Sequence, residues 1–266
     1  MNMKNLKQFI IQETIRFVET ANRAAVPEKI WKTPLVGFAD VRHPAIRNLK
    51  QTAGEHHQMP EDVMEDAVIV LVYFVPFQDF LSKENKDKGL ATKDWAQAYE
   101  TTNAMFSKLN QHLIRVIEEQ GFSAKESPEA RIFYRDEVIS HWSFRHFAYT
   151  AGLGTFGLNN MLITEQGCAG RINGLVTNLR VSPDQPQQEE ACLFKRNGSC
   201  GLCLQVCPAK AITEQAYDRR KCYAQCLKNA EVHTGLGSSY SQGNEAIGSE
   251  VCGKCVAGMP CALKRP

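Results

Sequence analysis

The chain has 266 residues, of which 43% are hydrophobic and 23% are charged, and its formal net charge at pH 7 is +2. This composition is ordinary for a globular protein with one large or two modest domains. A net charge this close to zero does not indicate a nucleic-acid-binding surface, although a local basic patch is still compatible with it. The longest apolar run, 67–77, is too short to span a bilayer, and no apolar signal segment is visible near Met1. The sequence therefore predicts a cytoplasmic protein without a membrane partner.

The first part of the chain combines one helical pattern with two strand patterns. Apolar residues at helical spacing predict a helix over 6–25, which Pro27 ends. The segment 35–41 predicts a short strand. The segment 67–75 is rich in β-branched and aromatic residues without polar alternation, which is typical of a central strand buried on both faces.

A long helix follows this strand. Charged residues over 79–92 predict a solvated loop, an apolar stripe predicts a helix over 94–120, and 130–134 predicts a further strand. Long helices beside a buried sheet indicate an α+β or α/β domain over about residues 1–180. The polar, proline-bearing segment 181–190 is interpreted as the linker into a second region.

Nine of the ten cysteines lie in that second region, between Cys192 and Cys261. A Cys-x2-Cys turn supplies two thiolates from one loop, and the bacterial two-cluster run C-x2-C-x2-C-x3-C-P adds a trailing cysteine that binds the neighbouring cluster. The last three cysteines and the proline of that run are matched by Cys200, Cys203, Cys207 and Pro208. Its first cysteine would fall on Asn197, and we interpret Cys192 as the displaced substitute.

This spacing predicts two [4Fe-4S] clusters whose trailing ligands cross over. The ligands predicted for the first cluster are Cys192, Cys200, Cys203 and Cys261. Those predicted for the second are Cys207, Cys252, Cys255 and one of Cys222 or Cys226. Cys168 and the cysteine left over on the second cluster are interpreted as buried thiols. A Gly/Ser-rich loop is predicted over 235–248, between the cysteines of the second cluster.

Zinc and disulfides are the alternatives to iron–sulfur clusters. Paired Cys-x2-Cys loops also form zinc ribbons, but zinc needs four sulfurs and leaves Cys207-Pro208 and Cys261 unexplained. A disulfide scaffold is disfavoured because the chain is long and carries no visible signal segment. The spacing therefore favours iron–sulfur clusters.

A glycine-rich stretch stands apart from the cysteines. Gly152-Leu-Gly154-Thr-Phe-Gly157 is a literal G-x-G-x-x-G, but the dinucleotide fingerprint requires a strand before it and a helix after it. Here a helical pattern precedes the glycines and a strand pattern, 161–164, follows them. The order is reversed, so we predict a turn that either ends a helix or lets the backbone approach a large flat cofactor.

The segments 151–163 and 170–177, followed by the cysteine loops, resemble the epoxyqueuosine reductase family in that order. Members of that family carry two [4Fe-4S] clusters beside a cobalamin held on a nitroreductase-like α/β core, a plan shared with reductive dehalogenases. The resemblance therefore implies an α+β chain, with a nitroreductase-like core over 1–180 and a bacterial-ferredoxin-like two-cluster domain over 181–266. Through the segment 217–222, it also favours Cys222 as the eighth ligand.

The resemblance also implies a cobalamin site and a proton donor. The residues assigned to cobalamin are Arg145, Gly152, Gly154, Gly157 and Asn159. The candidate proton donors are Asp136, Tyr134 and His141. Two positions depart from the family: its catalytic aspartate falls on Val138 when counted without gaps, and its usual lysine after the third glycine is Leu158. The chain also ends at Pro266, without the helical repeats that help to hold tRNA, so we interpret it as a short paralogue.

The main interpretation is an oxidoreductase in which the two clusters pass electrons to a cobalamin that reduces a small or nucleoside-like substrate. Ferredoxin or flavodoxin would be the electron donor. The alternative is an electron-transfer protein that serves a partner protein and has no substrate of its own. A third hypothesis, action on tRNA, would require a basic stripe around the cavity.

Overall fold

The computed structural model describes residues 3–25, 29–87, 89–237 and 248–266. Pro27 and most of the predicted 235–248 loop therefore lie outside the described residues. The helices are α1 (Met3–Asn22), α2 (Pro44–Arg47), α3 (Leu49–Thr52), α4 (Pro60–Val63), α5 (Asp79–Glu84), α6 (Lys93–Glu118), α7 (Phe144–Thr150), α8 (Leu193–Asn197), α9 (Leu202–Val206) and α10 (Arg219–Val232). The strands are β1 (Leu35–Asp40), β2 (Ile69–Pro76), β3 (Ala124–Lys125), β4 (Gly154–Phe156), β5 (Leu162–Thr164) and β6 (Gly170–Thr177). Short 3-10 helices cover Pro128–Arg131, Thr234–Leu236 and Lys254–Val256.

The main sheet has the strand order β1-β2-β6-β3, and all of its pairings are antiparallel. β2 lies inside the sheet, and each of its residues is buried, which confirms the predicted central strand. Its uniform apolar character has a simple cause. Leu71, Tyr73 and Val75 belong to the core on one face, and Val70 and Val72 belong to the core on the other. Alternate residues therefore meet apolar partners on both sides.

Helices cover both faces of this sheet. α1 and α6 supply the first core, in which Leu6 and Leu109 pack with the odd-numbered side chains of β2. α7 and the short helix α2 supply the second core, through Phe147 and Ile46. The predicted apolar stripe of α6 is buried as expected. Among the described residues, no helix combines the length and the apolar character that a membrane span requires.

Two local predictions were wrong. Part of the predicted loop 79–92 is helix α5, which buries Leu81 in the first core. The predicted strand 130–134 is also absent: its first two residues belong to a 3-10 helix, and Tyr134 forms only an isolated bridge with Ile139. Pro128 fixes the backbone at the start of this 3-10 helix, and the Ser127 hydroxyl accepts a hydrogen bond from the Glu129 N–H at 3.1 Å. In both places a local turn and one buried contact outweigh the average character of the segment.

The cysteine-rich region packs directly on this core. Ala191, Val251 and Ala257 are buried in the same apolar cluster as α1 and α6. The segment 181–190 also contacts the sheet, because the Asp184 carboxylate accepts a hydrogen bond from the Phe38 N–H at 2.9 Å. The two predicted regions therefore share one continuous core, and a domain boundary near residue 180 stays a prediction.

Candidate functional site

The four cysteines predicted for the first cluster line a single cavity. Its lining includes Cys192, Cys200, Cys203 and Cys261. The first precedes α8, the second and third flank the start of α9, and the last lies in the C-terminal turn. Gly201 joins α8 to α9 with φ +144°, a conformation open to glycine. Most of the remaining lining is apolar, including Leu193, Phe194 and Met259.

Burial acts on the protonation of one of these thiols, Cys203. The pKa of Cys203 is raised to about 11, first by burial and then by the neighbouring Cys261, Cys192 and Cys200 sulfurs. Four thiols that share an apolar cavity cannot all ionise there without a compensating positive charge. Coordinated metal supplies such a charge and deprotonates its thiol ligands outright.

The second group of cysteines surrounds Cys255. Burial raises the pKa of Cys255, and the next contributions come from the nearby Cys222, Cys252 and Cys207 sulfurs. The loop that carries this group is fixed by Asn85, whose amide donates to the Cys252 carbonyl at 3.0 Å. The four residues predicted for the second cluster are thus neighbours.

Cys222 and Cys226 lie one turn apart on the same face of α10. The Cys226 thiol hydrogen-bonds to Cys222, and this contact together with Tyr217 and Arg145 lowers the pKa of Cys222 to about 6. The pKa of Cys226 is raised by the same hydrogen bond. Both thiols lie close to the second group, because Cys222 and Cys226 each interact electrostatically with Cys252 and Cys255.

The spacing of the thiols bears on the identity of the metal. Within the described ranges, no three or more His, Cys, Asp or Glu side chains are arranged to hold a single metal ion. A tetrahedral zinc site, with Zn–S bonds of about 2.3 Å, would bring its sulfurs to about 3.8 Å from one another. A cube with iron at four corners holds its ligands farther apart. The preference for iron–sulfur clusters over zinc rests on the cysteine spacing in the sequence.

In the glycine turn, Gly152 to Gly157, the order of helix and strand argues against a dinucleotide site. Helix α7 precedes it, and the antiparallel pair β4–β5 follows. The space beside each glycine is filled by the chain itself. A Cβ on Gly152, where φ is +70°, would lie 2.3 Å from the Gln185 carbonyl oxygen, and one on Gly154 would lie 2.1 Å from the Ile163 carbonyl oxygen. Close backbone packing thus accounts for these two glycines.

Two residues assigned to cobalamin lie against the second cysteine group. The Asn159 amide donates to the Cys255 carbonyl at 2.8 Å, and its oxygen accepts from the Met161 N–H at 3.2 Å. Arg145 donates to the Asn160 carbonyl. Its largely buried guanidinium favours the ionised forms of Tyr217 and Cys222 and so acts to lower the pKa of each. Both side chains therefore connect the glycine turn to the cysteines.

Two of the three candidate proton donors lie together. The rings of Tyr134 and His141 stack with centroids 4.1 Å apart. The Tyr134 hydroxyl donates to the Glu129 carboxylate at 3.1 Å, and His141 Nδ1 lies 3.7 Å from the same carboxylate. Burial and Glu129 raise the pKa of Tyr134. Asp136 is separate: its side chain is exposed, and its carbonyl accepts a hydrogen bond from Arg220.

Comparison with known proteins gives partial matches, and no family model matches the chain. An epoxyqueuosine reductase from Gloeobacter violaceus is 30% identical over 112 residues, which are 41% of this chain and 33% of that protein. A tetrachloroethene reductive dehalogenase from Desulfitobacterium hafniense is 39% identical over 69 residues, which are 26% of this chain and 12% of that protein. The chain resembles epoxyqueuosine reductases. It spans no more than about a third of these curated relatives.

Solved structures extend this resemblance to the whole fold. The epoxyqueuosine reductase from Streptococcus thermophilus aligns over 100% of this chain and 68% of its own, with a TM-score of 0.54 and 17% identity. An epoxyqueuosine reductase bound to an epoxyqueuosine-modified tRNA-Tyr stem loop aligns over 98% of this chain and 66% of its own, with a TM-score of 0.55 and 17% identity. At such low identity these matches show the fold alone: the mixed helix and sheet architecture is that of epoxyqueuosine reductases.

Sequence reasoning missed three side chains in this epoxyqueuosine reductase-like fold. Glu129 was not assigned a role, because only the 3-10 turn brings it to Tyr134. His57 was also passed over, although its Nε2 accepts from the Ser143 N–H at 3.0 Å and burial lowers its pKa to about 4. Cys168 was interpreted as a buried thiol, which the structure confirms, but its contact with the predicted ligand Cys261 was not foreseen. None of these contacts has a local sequence pattern that could have predicted it.

Proposed function

We propose that the chain is an iron–sulfur oxidoreductase with two [4Fe-4S] clusters. They would pass single electrons to an acceptor on the 1–180 region, where a small or nucleoside-like substrate is reduced. The similarity to epoxyqueuosine reductases and reductive dehalogenases supports this class, together with iron–sulfur and cobalamin cofactors in general. The observation that carries the proposal is the convergence of four predicted ligands on one cavity.

Each cluster would be held by thiolates from distant parts of the chain. The proposed first set is Cys192, Cys200, Cys203 and Cys261. The proposed second set is Cys207, Cys222, Cys252 and Cys255. Two sets with crossed trailing ligands support a ferredoxin-like arrangement over 181–266 and, with it, a nitroreductase-like core over 1–180. A buried Arg145 beside the second set would balance part of the negative charge of its cluster.

The glycine turn does not fit a corrinoid pressed against it. The space beside Gly152 and Gly154 holds the chain's own carbonyl groups, and the Asn159 amide is engaged on both of its polar atoms. Cobalamin is therefore proposed on the similarity, with contacts outside the turn. His141 Nε2 and Trp142 Nε1 are buried and have no hydrogen-bond partner among the described residues. A polar cofactor or substrate group could satisfy them.

The chemistry at the substrate end would be proton delivery. Tyr134 and His141 share the Glu129 carboxylate, so a proton lost from either to the substrate could be balanced by the other members of the group. Asp136 is exposed on the 134–139 turn and would act only where that turn approaches the substrate. The nucleoside-like substrate is proposed because a solved relative binds a tRNA stem loop, and ferredoxin or flavodoxin is proposed as the donor.

An electron-transfer protein is the second candidate. The observation that favours it is the same closed glycine turn, since a chain without a corrinoid could still hold both clusters. Such a protein would deliver electrons to a partner protein and would need neither Tyr134 nor His141.

The deciding experiment is cofactor analysis of protein purified without oxygen and supplied with cobalamin. About eight irons and eight sulfides per chain are expected for two clusters, with corrinoid absorption that elutes with the protein in gel filtration. Eight irons without retained corrinoid would favour the electron-transfer protein. Zinc in place of iron would contradict both candidates.

A further inference from the structure

Cys168 lies beside the first predicted cluster without belonging to its ligand set. It precedes β6 and is 5% exposed. Its sulfur lies 4.0 Å from the sulfur of Cys261, with the Cys168 thiol as the donor. A free buried cysteine is usually an apolar filler, but here its polar group is aimed at a predicted metal ligand.

The backbone fixes this contact. The Cys168 N–H donates to the carbonyl oxygens of Cys261 and Ala262, at 2.9 Å and 3.0 Å, and the Ala169 N–H donates to the Ala262 carbonyl at 2.9 Å. The preceding residue is Gly167, where an added Cβ would lie 2.2 Å from the Ala262 oxygen. The segments 167–169 and 261–262 are therefore held so close together that the two sulfurs cannot easily separate.

The environment makes a weak donor effective. The cavity next to Cys261 is lined mainly by apolar side chains, and hydrogen bonds are stronger electrostatically where water is excluded. One-electron reduction of a cluster adds negative charge, part of which resides on the ligand sulfurs. A donor to such a sulfur stabilises the reduced form more than the oxidised form, and hydrogen bonds to the sulfurs are among the factors that set cluster potentials.

We propose that Cys168 is a positioning residue that tunes the first cluster. Its S–H group donates a hydrogen bond to the Cys261 sulfur and raises the reduction potential of the cluster held by Cys261. The thiol keeps its proton throughout and forms no bond to iron. This inference rests on the proposed function, because it requires a cluster at the first set of cysteines.

The test compares Cys168→Ala, which removes the donor, with Cys168→Ser, which keeps an O–H donor. Potentials of both clusters are measured in the full chain by redox titration followed by electron paramagnetic resonance. Cys168→Ala is expected to shift the reduction equilibrium of one cluster at least about tenfold towards the oxidised form, which is 59 mV for one electron. Cys168→Ser should keep that potential or raise it, since a hydroxyl is the stronger donor.

Thr14→Val is the matched control. Thr14 is fully buried on α1 and donates to the Ile10 carbonyl of the same helix, so the change removes a buried donor that does not bond to a cysteine and should move neither potential. Unchanged potentials in Cys168→Ala would refute the tuning role while the clusters themselves remain. Loss of about half of the iron would show that Cys168 is a ligand, which also overturns it. If the alanine variant does not fold, a lower potential in Cys168→Ser refutes the inference. A wild-type chain without iron would refute the proposed function itself.

Discussion

Replacing Gly152 by alanine separates a packing role of the glycine turn from a cofactor role. Gly152 has φ +70°, and an alanine there costs about 1–2 kcal/mol in backbone conformation. Its Cβ would lie 2.3 Å from the Gln185 oxygen, which must then move. That segment is held on both sides: the Asp184 N–H donates to the Phe38 carbonyl at 2.8 Å, and Gln187 donates to the Gly152 carbonyl at 2.9 Å.

Such overpacking adds about 1–3 kcal/mol, and the lower entropy of the unfolded alanine chain returns about 0.4–1 kcal/mol. Gly152→Ala should therefore lower the free energy of unfolding by about 1–5 kcal/mol, a sizeable part of the ~5–15 kcal/mol typical of a folded protein. Urea unfolding of anaerobic protein, followed by circular dichroism, measures this loss.

Gly235→Ala is the control for this experiment, because nothing lies within 4 Å of a Cβ at that position. Its free energy of unfolding should stay within about 0.5 kcal/mol of the wild-type value. A Gly152→Ala variant as stable as this control would refute the packing argument. If that stable variant also failed to retain corrinoid, the turn would be identified as a cofactor contact after all.

Three further predictions concern the cysteines of α10, the Arg145 guanidinium and the His57 imidazole. Cys222→Ala should lose about half of the iron and Cys226→Ala none, by iron analysis; the reverse result would exchange their roles. Arg145→Gln should lower the potential of the second cluster by about 59 mV or more in a redox titration, with a smaller change in Arg145→Lys, because a removed cation no longer stabilises the added electron; equal potentials would contradict this. Since the pKa of His57 falls from 6.5 to about 4 on folding, the unfolded chain takes up a proton first as the pH drops. Stability should fall between pH 6.5 and 4, by about 2–3 kcal/mol at pH 4.5, and His57→Gln should flatten this dependence in urea unfolding.

The parts of the fold that sequence predicted best are those with long, regular patterns. β2 and α6 were recognised because burial acts on every residue of β2 and on one stripe of α6. Short elements were not. Helix α5 and the 128–131 turn depend on one buried side chain or one capping hydroxyl, and such single contacts leave no periodic pattern. The predicted strand at 130–134 failed for this reason.

The same difference applies to the candidate site. Cysteine spacing predicted which thiols lie together, because metal coordination requires particular numbers of thiols within reach of one another. The first four do line one cavity, and their role as ligands stays a prediction. The surroundings of the ligands could not be predicted, since they are tertiary contacts. Glu129 reaches Tyr134 only through a turn, and Cys168 meets Cys261 across 93 positions of sequence.

The position of the glycine turn gives it a meaning that its sequence alone did not. Gly157 and Asn159 line the cavity of the first cysteine group, while the Asn159 amide holds the Cys255 carbonyl of the second. The two groups are themselves adjacent, because the Cys203 sulfur of the first group contributes to raising the pKa of Cys255 in the second. A tightly packed turn at this junction would fix the distance between the two proposed clusters. Since electron transfer depends steeply on distance, the close packing of the turn is the property that the proposed two-cluster relay would require.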